Sequence, residues 1–417
     1  MIIYRKISLL TIFLLIFLFA NKLKSQESNT FLLKPTGKYN IGTTELFLTD
    51  SSRKEKLKSF NNDYKRLYVK VWYPSIDHEN ESYSKYFSNY SSKTIYKIFK
   101  SKKISIKDID LIKKTDTYSS PNIDVSSEEQ HFPVLLFNPG FYFGMVDLYT
   151  SYMENLASNG YIVFSIIHIY QQPLVVFPDG KKAKLMKKKM QLAFLEWALE
   201  DRIKTEKLNT QEIIEEATNA TLDQLKRFNR VVDLWVVDNE FVIDYINIIN
   251  ADTSSIFYSK LNTDKIGVFG QSIGGAVAGQ LCFKNEKLKA GINLDCFQFG
   301  DIVCNDLKTP FMLIESEYQK KWNRGNKYIF SNVKSDFYSL LLLNTKHFIT
   351  SDVPLFPILS KEQQESFFGN ADKINSVSLI NKYILDFFNL YLKDISSNTL
   401  TKEITSSDII YKVRNEK

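Results

Sequence analysis

Short apolar runs alternate with longer amphipathic stretches along most of this chain of 417 residues. Apolar residues that alternate with polar ones, or that run together without interruption, predict strands. Apolar residues spaced three and four apart predict helices. The predicted strands are 46–48, 67–74, 132–137, 161–167, 266–269, 290–294, 310–314 and 338–343, and the predicted helices are 148–158, 231–249 and 376–392. Buried strands that alternate with helices indicate an α/β fold whose mostly parallel central sheet carries helices on both faces.

Two stretches depart from this alternation. Residues 75–130 are rich in Ser, Lys, Asn and Tyr, which indicates irregular surface structure. Residues 170–228 carry many charges and few glycines, which indicates a helical, lid-like insertion. Everything from residue 26 to residue 417 is interpreted as one domain that contains this insertion. A parallel sheet binds its ligands beyond the carboxyl ends of its strands, so the functional residues are expected there.

The N-terminal segment has the pattern of an export signal. Arg5 and Lys6 precede a mostly apolar run from Leu9 to Ala20, and polar sequence follows. A run of this length is too short to span a bilayer comfortably. We therefore predict a signal peptide over residues 1–25 and a periplasmic or extracellular protein. The alternative is an uncleaved N-terminal membrane anchor.

Charge and cysteine content exclude some classes of partner. The formal net charge is +7, but four of the positive residues lie in the first 25, which carry no acids. The rest of the chain carries about +3, which is too weak and too dispersed to argue for nucleic acid. The basic run KKAKLMKKKM (181–190) is either a solvated helix face or a contact with a peripheral membrane or lipoprotein-like surface. The three cysteines are interpreted as small buried residues, although Cys296 and Cys304 are close enough in sequence for a disulfide. Their spacing indicates no metal site, and no cofactor is expected.

The segment GVFGQSIGGAVAGQL (267–281) holds the pattern G-x-S-x-G around Ser272. An apolar strand precedes the pattern and a run of small residues that can open a helix follows it. This strand–turn–helix arrangement is that of a nucleophile elbow, which exposes a serine hydroxyl beside a helix N-terminus. The oxyanion hole of such a site needs two backbone N–H donors, which we expect from Ile273 and from Phe141 in the loop NPGFYFG.

A nucleophilic serine needs a general base and an acid that orients it. Of the four histidines, His347 alone follows Ser272 in the chain, which is the order that this architecture requires. His168 also ends a predicted strand, and we interpret it as a packing residue. Asp295 and Glu315 each end a predicted strand, and the spacing of the sequence does not choose between them; Asp352, five residues from His347, is a weaker candidate.

These motifs resemble the plasma-type, serine-dependent platelet-activating factor acetylhydrolases, which have the α/β-hydrolase fold. The resemblance runs from about Thr36 to His347 and rests on TGKYNIGTTEL, VWYPS, FPVLLFNPGF, ENLASNGYIVFSIIH, IGVFGQSIGGA, KAGINLDCF and FMLIESEY. It implies Ser272 as nucleophile, Asp295 as acid and His347 as base, with Phe141 and Ile273 as oxyanion donors, and it thereby selects Asp295 over Glu315.

The chain departs from the family pattern at three places. Pro139-Gly140 stands where the family usually has His-Gly, Gln271 stands where His commonly precedes the nucleophile, and residues 170–228 are differently charged.

The first functional hypothesis is a secreted esterase that hydrolyses short or oxidised acyl esters of phospholipids. The alternatives are a generic exported carboxylesterase acting on acetylated sugars or polyesters, and a non-catalytic binding protein with the hydrolase fold.

Overall fold

A computed structural model describes residues 30–57, 63–76, 82–100, 104–200, 210–302, 305–321 and 323–415. The expected signal peptide, His78 and the pairing of Cys296 with Cys304 lie outside these ranges. Among the helices that the model describes, none combines the length and the apolar character that crossing a bilayer requires.

The strands lie where the apolar runs predict them, with several additions. The strands are β1 (Asn40–Lys54), β2 (Tyr64–Ser75), β3 (Ser119–Pro121), β4 (Phe132–Asn138), β5 (Ile162–Ile167), β6 (Leu174–Val176), β7 (Lys182–Lys184), β8 (Leu261–Gln271), β9 (Leu288–Leu294), β10 (Phe311–Ser316), β11 (Phe337–Leu342), β12 (Ile404–Thr405) and β13 (Ile409–Arg414). The α-helices are α1 (Ser92–Phe99), α2 (Ile106–Lys114), α3 (Thr150–Ser158), α4 (Lys187–Leu199), α5 (Gln211–Gln224), α6 (Lys226–Ala251), α7 (Ile273–Lys284), α8 (Arg324–Ile329), α9 (Lys361–Phe368), α10 (Lys373–Lys393) and α11 (Asn398–Thr401).

One large sheet organises the molecule. Within the described residues its strand order is β12-β13-β11-β10-β9-β8-β4-β5-β2-β1-β3. The central pairs from β5 through β4, β8, β9 and β10 to β11 are all parallel. The pairs β2–β5, β1–β2, β11–β13 and β12–β13 are antiparallel. The predicted fold class, a mostly parallel α/β-hydrolase sheet, is confirmed.

Two apolar layers cover the two faces of this sheet. Side chains that alternate along β4 contribute to both layers, since successive residues of a strand point to opposite faces. Leu135 and Phe137 belong to the layer that also contains the buried residues of α3 and α10. Val134 and Leu136 belong to the layer that contains those of α6 and α7. Burial on both faces explains why the central strands read as continuous apolar runs.

The prediction of irregular structure over residues 75–130 is wrong for part of that stretch. Helices α1 and α2 and strand β3 lie within it. Ser91 and Ser105 cap the two helices by accepting hydrogen bonds from the backbone N–H groups of Thr94 and Asp108. Each helix is short and buries little of its surface, so few apolar positions mark it in the sequence. Ser105 and Asp108 form a capping box, which is the local signal that this prediction missed.

The stretch 170–228, interpreted as an insertion, contains both strands and helices. It begins with the separate hairpin β6–β7 and continues with α4 and α5. Helix α6 then returns the chain to the sheet, and its buried face includes Trp235 and Val242. The insertion therefore stands between two central strands, β5 and β8, at the carboxyl end of the sheet where a ligand is expected.

Candidate active site

Ser272 lies on a strained turn between β8 and α7. Its backbone has φ 55° and ψ −132°, a conformation that is sparsely populated for residues with a side chain. The neighbouring glycine is sterically required, because a Cβ added to Gly274 would lie 2.0 Å from the carbonyl oxygen of Asn138. Helix α7 begins at Ile273, immediately after the serine. The predicted strand–turn–helix context of Ser272 is therefore the one that the structure has.

Asp295 and His347 are brought together from the ends of β9 and β11. His347 Nδ1 lies 2.9 Å from Asp295 Oδ2. The carboxylate also accepts hydrogen bonds from the backbone N–H of Ser316, at 2.8 Å, and from its hydroxyl, at 2.7 Å. The side chain of Asp295 is fully buried, whereas that of His347 is 24% exposed. A buried carboxylate with fixed donors can orient an imidazole and stabilise its protonated form.

The other carboxyl groups considered from the sequence point elsewhere. Glu315 accepts a hydrogen bond from Asn326 Nδ2 at 3.3 Å. Burial, together with the negative charge of Asp295, raises the pKa of Glu315 to about 7. Asp352 accepts from the backbone N–H of Ser151, and burial raises its pKa well above the ordinary value. Neither group contacts His347.

The second ring nitrogen of His347 contacts a residue that the sequence analysis did not assign to the site. His347 Nε2 lies 3.1 Å from Gln271 Nε2. No hydrogen bond joins Ser272 Oγ to His347 among the residues that the structure describes. Gln271 directly precedes Ser272, and its departure from the family pattern was the one signal in the sequence that pointed to it.

The loop after β4 supplies the expected oxyanion donor, Phe141. Gln172 Nε2 donates to the carbonyl oxygens of Pro139, at 3.2 Å, and Gly140, at 3.0 Å, which fixes the course of this loop. Gly140, Phe141, Ser272 and Ile273 all line the same cavity. The two expected N–H donors are therefore on the wall that also presents the serine.

His168 lies behind this loop and does not reach the cavity. It is fully buried, its ring stacks on Trp235 at 3.9 Å, and its Nδ1 lies 2.8 Å from Asp238 Oδ2. Its Nε2 lies 3.0 Å from Asn138 Oδ1, and Asn138 directly precedes the loop. Asp238 also pairs with Arg53 of the hairpin formed by β1 and β2. His168 is thus a packing residue, as the sequence analysis interpreted it.

An apolar cavity of 360 Å³ opens in front of Ser272. Its size falls in the range of small-molecule sites. Gln319, Asn323 and Ser351 also line it. The apolar side chains of its wall come from α1, α2 and the residues beside them, from the segments that follow β4 and β9, from the insertion and from the segment around His347: Phe87, Ile95, Phe99, Ile104, Ile109, Ile112, Phe143, Leu148, Phe194, Trp197, Phe228, Phe297, Phe348, Val353, Phe356, Ile358 and Leu359. The site can therefore accept an apolar group beside its candidate nucleophile.

Comparisons with known proteins agree with this geometry. The family model described as platelet-activating factor acetylhydrolase, isoform II, matches residues 24–406. A platelet-activating factor acetylhydrolase from Cavia porcellus is 22% identical over 388 residues, which cover 87% of this chain and 78% of that protein.

Among solved structures, a ferulic acid esterase from Streptomyces cinnamoneus superposes with a TM-score of 0.66 and 22% identity. The match covers 90% of this chain and 97% of that one, and it shows the shared fold. The resemblance drawn from the motifs is confirmed by the family match. The chain belongs to the platelet-activating factor acetylhydrolase, isoform II, family and is a carboxylic ester hydrolase.

Proposed function

We propose that this protein is a secreted serine esterase that releases short or oxidised acyl chains from the sn-2 position of phospholipids. The observation that carries this proposal is the contact of His347 with Asp295 beside the strained Ser272, at the end of an apolar cavity. The N-terminal apolar run, which we interpret as a signal peptide over residues 1–25, supports export. The reaction requires no cofactor.

In the proposed reaction Ser272 Oγ attacks the carbonyl carbon of the ester, and His347 Nε2 takes the hydroxyl proton. The N–H groups of Phe141 and Ile273 bind the oxyanion of the tetrahedral intermediate. His347 then gives its proton to the oxygen of the leaving alcohol as the C–O bond breaks. Water, deprotonated by His347, attacks the acyl carbon. The bond from that carbon to Ser272 Oγ then breaks, His347 returns the proton to Oγ, and the carboxylic acid leaves. Asp295 keeps the imidazole oriented and remains ionised throughout.

The lining of the cavity supports a lipid ester over a sugar ester, because most of its wall is apolar. The polar side chains of Gln319, Asn323 and Ser351 support the second candidate, a generic carboxylesterase acting on acetylated sugars or polyesters. Hydrolysis rates for p-nitrophenyl esters from acetate to decanoate, for phospholipids with short sn-2 chains and for acetylated sugars distinguish the two. The proposal is contradicted if acetylated sugars are the better substrates by kcat/KM.

We expect Ile109→Phe to shorten the longest acyl chain that the enzyme accepts. Ile109 is buried on α2 and lines the cavity, so a larger side chain narrows the space beyond Ser272. We expect kcat/KM to fall about tenfold for the longest ester that the wild type accepts, and to stay near the wild-type value for acetate, since one or two methylenes in an apolar pocket change binding by about 1–3 kcal/mol.

Ile106→Phe is the matched control, because Ile106 is 46% exposed on the same helix. A uniform loss across all chain lengths in Ile109→Phe would contradict the assignment of this wall to the acyl chain.

We further propose that α4 docks on a lipid surface at the cavity mouth. Leu192, Leu195 and Leu199 are exposed on this helix, and the exposed lysines at its start can attract anionic headgroups. Phe194 and Trp197 of the same helix line the cavity, so a lipid held there would enter directly.

Sedimentation with vesicles of phosphatidylcholine and phosphatidylglycerol tests this docking. We expect Leu195→Glu to weaken binding about tenfold, which matches the loss of one buried leucine side chain. Ile374→Glu is the control, because Ile374 is 61% exposed on α10, against the opposite face of the sheet. Equal binding by both variants would exclude α4 as the docking surface.

A further inference from the structure

Gln271 connects the candidate base to the first oxyanion loop. It is the last residue of β8, and it is 5% exposed. Its Nε2 lies 3.1 Å from His347 Nε2 and 3.2 Å from Thr350 Oγ1. Its Oε1 accepts a hydrogen bond from the hydroxyl of Tyr149 at 3.0 Å. One carboxamide therefore contacts two separate segments of the site, the 3₁₀ turn His347–Thr350 and Tyr149.

Tyr149 extends this connection to the loop that holds Phe141. The tyrosine hydroxyl oxygen accepts from the backbone N–H of Gly140 at 3.3 Å. Burial raises the pKa of Tyr149 well above its ordinary value, so its hydroxyl keeps the proton that it donates to Gln271. A Cβ on Gly140 would lie 2.3 Å from Gln271 Oε1, which shows how closely the loop packs on the carboxamide.

The donors and acceptors around Gln271 fix the proton on His347. Because Oε1 accepts from Tyr149, the group that faces His347 is the amide nitrogen, which can only donate. Thr350 Oγ1 donates to the carbonyl oxygen of His347 at 2.9 Å, so it can accept the second amide proton. His347 Nε2 must therefore carry a lone pair, and Nδ1 carries the proton that is donated to Asp295.

We propose that Gln271 is a positioning residue, which holds His347 in the tautomer of a general base. When an ester binds, the Gln271 amide leaves His347 Nε2, and the Ser272 hydroxyl hydrogen-bonds to Nε2 instead. This inference rests on the proposed function, in which His347 is the base. It accounts for the resting contact of Nε2 with Gln271 in place of Ser272. It also couples the base to the oxyanion loop through Tyr149.

A donor to Nε2 stabilises the neutral imidazole and disfavours the imidazolium, so the contact with Gln271 favours the form of His347 that can accept a proton. Asp295 is in direct contact with the ring, Glu315 lies close enough to Asp295 for the two carboxyl groups to interact, and Lys346 directly precedes His347 in the chain. The titratable groups beyond Gln271 and the 3₁₀ turn at His347 are Tyr149 and the buried Asp352, and burial raises the pKa of both well above their ordinary values. Replacing Gln271 by glutamate keeps an acceptor for the Tyr149 hydroxyl, whereas replacing it by methionine removes that acceptor.

Two substitutions in the full chain separate this role from a structural one. Gln271→Glu places a carboxylate against Nε2, and we expect it to raise the pKa of His347 by about one unit or more. Gln271→Met removes the donor at similar volume, and we expect a smaller rise. Gln211→Glu is the control, because Gln211 is exposed at the start of α5 and the change adds the same charge away from the site.

The pKa of His347 is measured by titrating its ring nitrogens by NMR, with the signal assigned through its loss in His347→Gln. The pH profile of kcat/KM on a p-nitrophenyl ester is recorded beside it. We expect the acid limb to move up with the measured pKa, so that activity of Gln271→Glu at pH 6 relative to pH 8 falls about tenfold below the wild-type ratio.

An unchanged pKa of His347 in both folded variants would overturn the inference. Absence of hydrolysis that depends on Ser272 in the wild type would instead overturn the proposed function, and the NMR titration would still decide whether Gln271 positions His347. The two failures are therefore distinguishable.

Discussion

Replacing Ser272 by alanine is expected to lower kcat/KM for p-nitrophenyl acetate by about 10⁴-fold or more, since removal of the nucleophile of a triad leaves only the contributions of binding and of the oxyanion hole. The turn geometry at Ser272 should survive, because alanine tolerates the backbone of serine and the flanking glycines are unchanged. Steady-state hydrolysis, together with labelling by a fluorophosphonate probe, measures the effect. Labelling should disappear with activity.

Ser378→Ala is the control for this substitution. Ser378 lies exposed on α10, where its hydroxyl donates to the carbonyl oxygen of Ile374. We expect it to retain wild-type activity and labelling. Full activity in Ser272→Ala would refute the assignment of the nucleophile. A folded wild type that neither reacts with the probe nor hydrolyses any ester would favour a non-catalytic binding protein.

Replacing Asp295 by asparagine is expected to lower kcat by about 10³- to 10⁴-fold, because an amide that presents its N–H to His347 Nδ1 holds the wrong tautomer of the ring. Ser316 adds to the effect of this replacement, because its backbone N–H and its hydroxyl both donate hydrogen bonds to the Asp295 carboxylate. An asparagine can accept through one atom only and must turn its amide nitrogen toward either Ser316 or His347. Measurement of kcat at saturating ester gives the effect.

Glu315→Gln is the matched comparison, because Asp295 and Glu315 were equally placed candidates at the ends of neighbouring strands. Glu315 contacts Asn326 and not the imidazole, so we expect kcat to change less than tenfold. A larger loss of kcat in Glu315→Gln than in Asp295→Asn would show that Asp295 is the wrong choice for the acid. The pair of variants thus tests a choice that spacing in the sequence left open.

The central sheet could be predicted because its strands are buried on both faces. Strands such as β4 and β5 consist almost wholly of buried residues, so they stand out as continuous apolar runs. Strand β13 was missed, because this short strand near the sheet edge buries only Ile409 and Tyr411. Helices α1 and α2 were missed for a similar reason: α1 fully buries Ile95 alone, and α2 buries Ile109 and Ile112.

Only those parts of the candidate site that depend on chain order or on a local motif could be predicted from the sequence. Ser272 follows from its turn and His347 from its position after Ser272. The pairing of His347 with Asp295 depends on the direction in which the side chain leaves the strand end, where Asp295 has φ 62°. The contact of Gln271 with His347 joins residues 76 positions apart, and no local pattern encodes such a distance. Part of the cavity wall was likewise missed, since α1 and α2, which contribute to it, were not predicted as helices.

The position of that wall has a consequence for how this protein can change over evolutionary time. The segments that hold Ser272, Asp295 and His347 each follow a strand of the parallel sheet, and their geometry is tied to its register. The helices that shape the cavity, α1, α2 and α4, stand outside that sheet as separate inserts. Under the proposed function, chemistry and substrate choice are thus encoded in different parts of the chain. Sequence changes in the inserts can therefore alter which esters the protein accepts, while the residues that carry out the reaction stay the same.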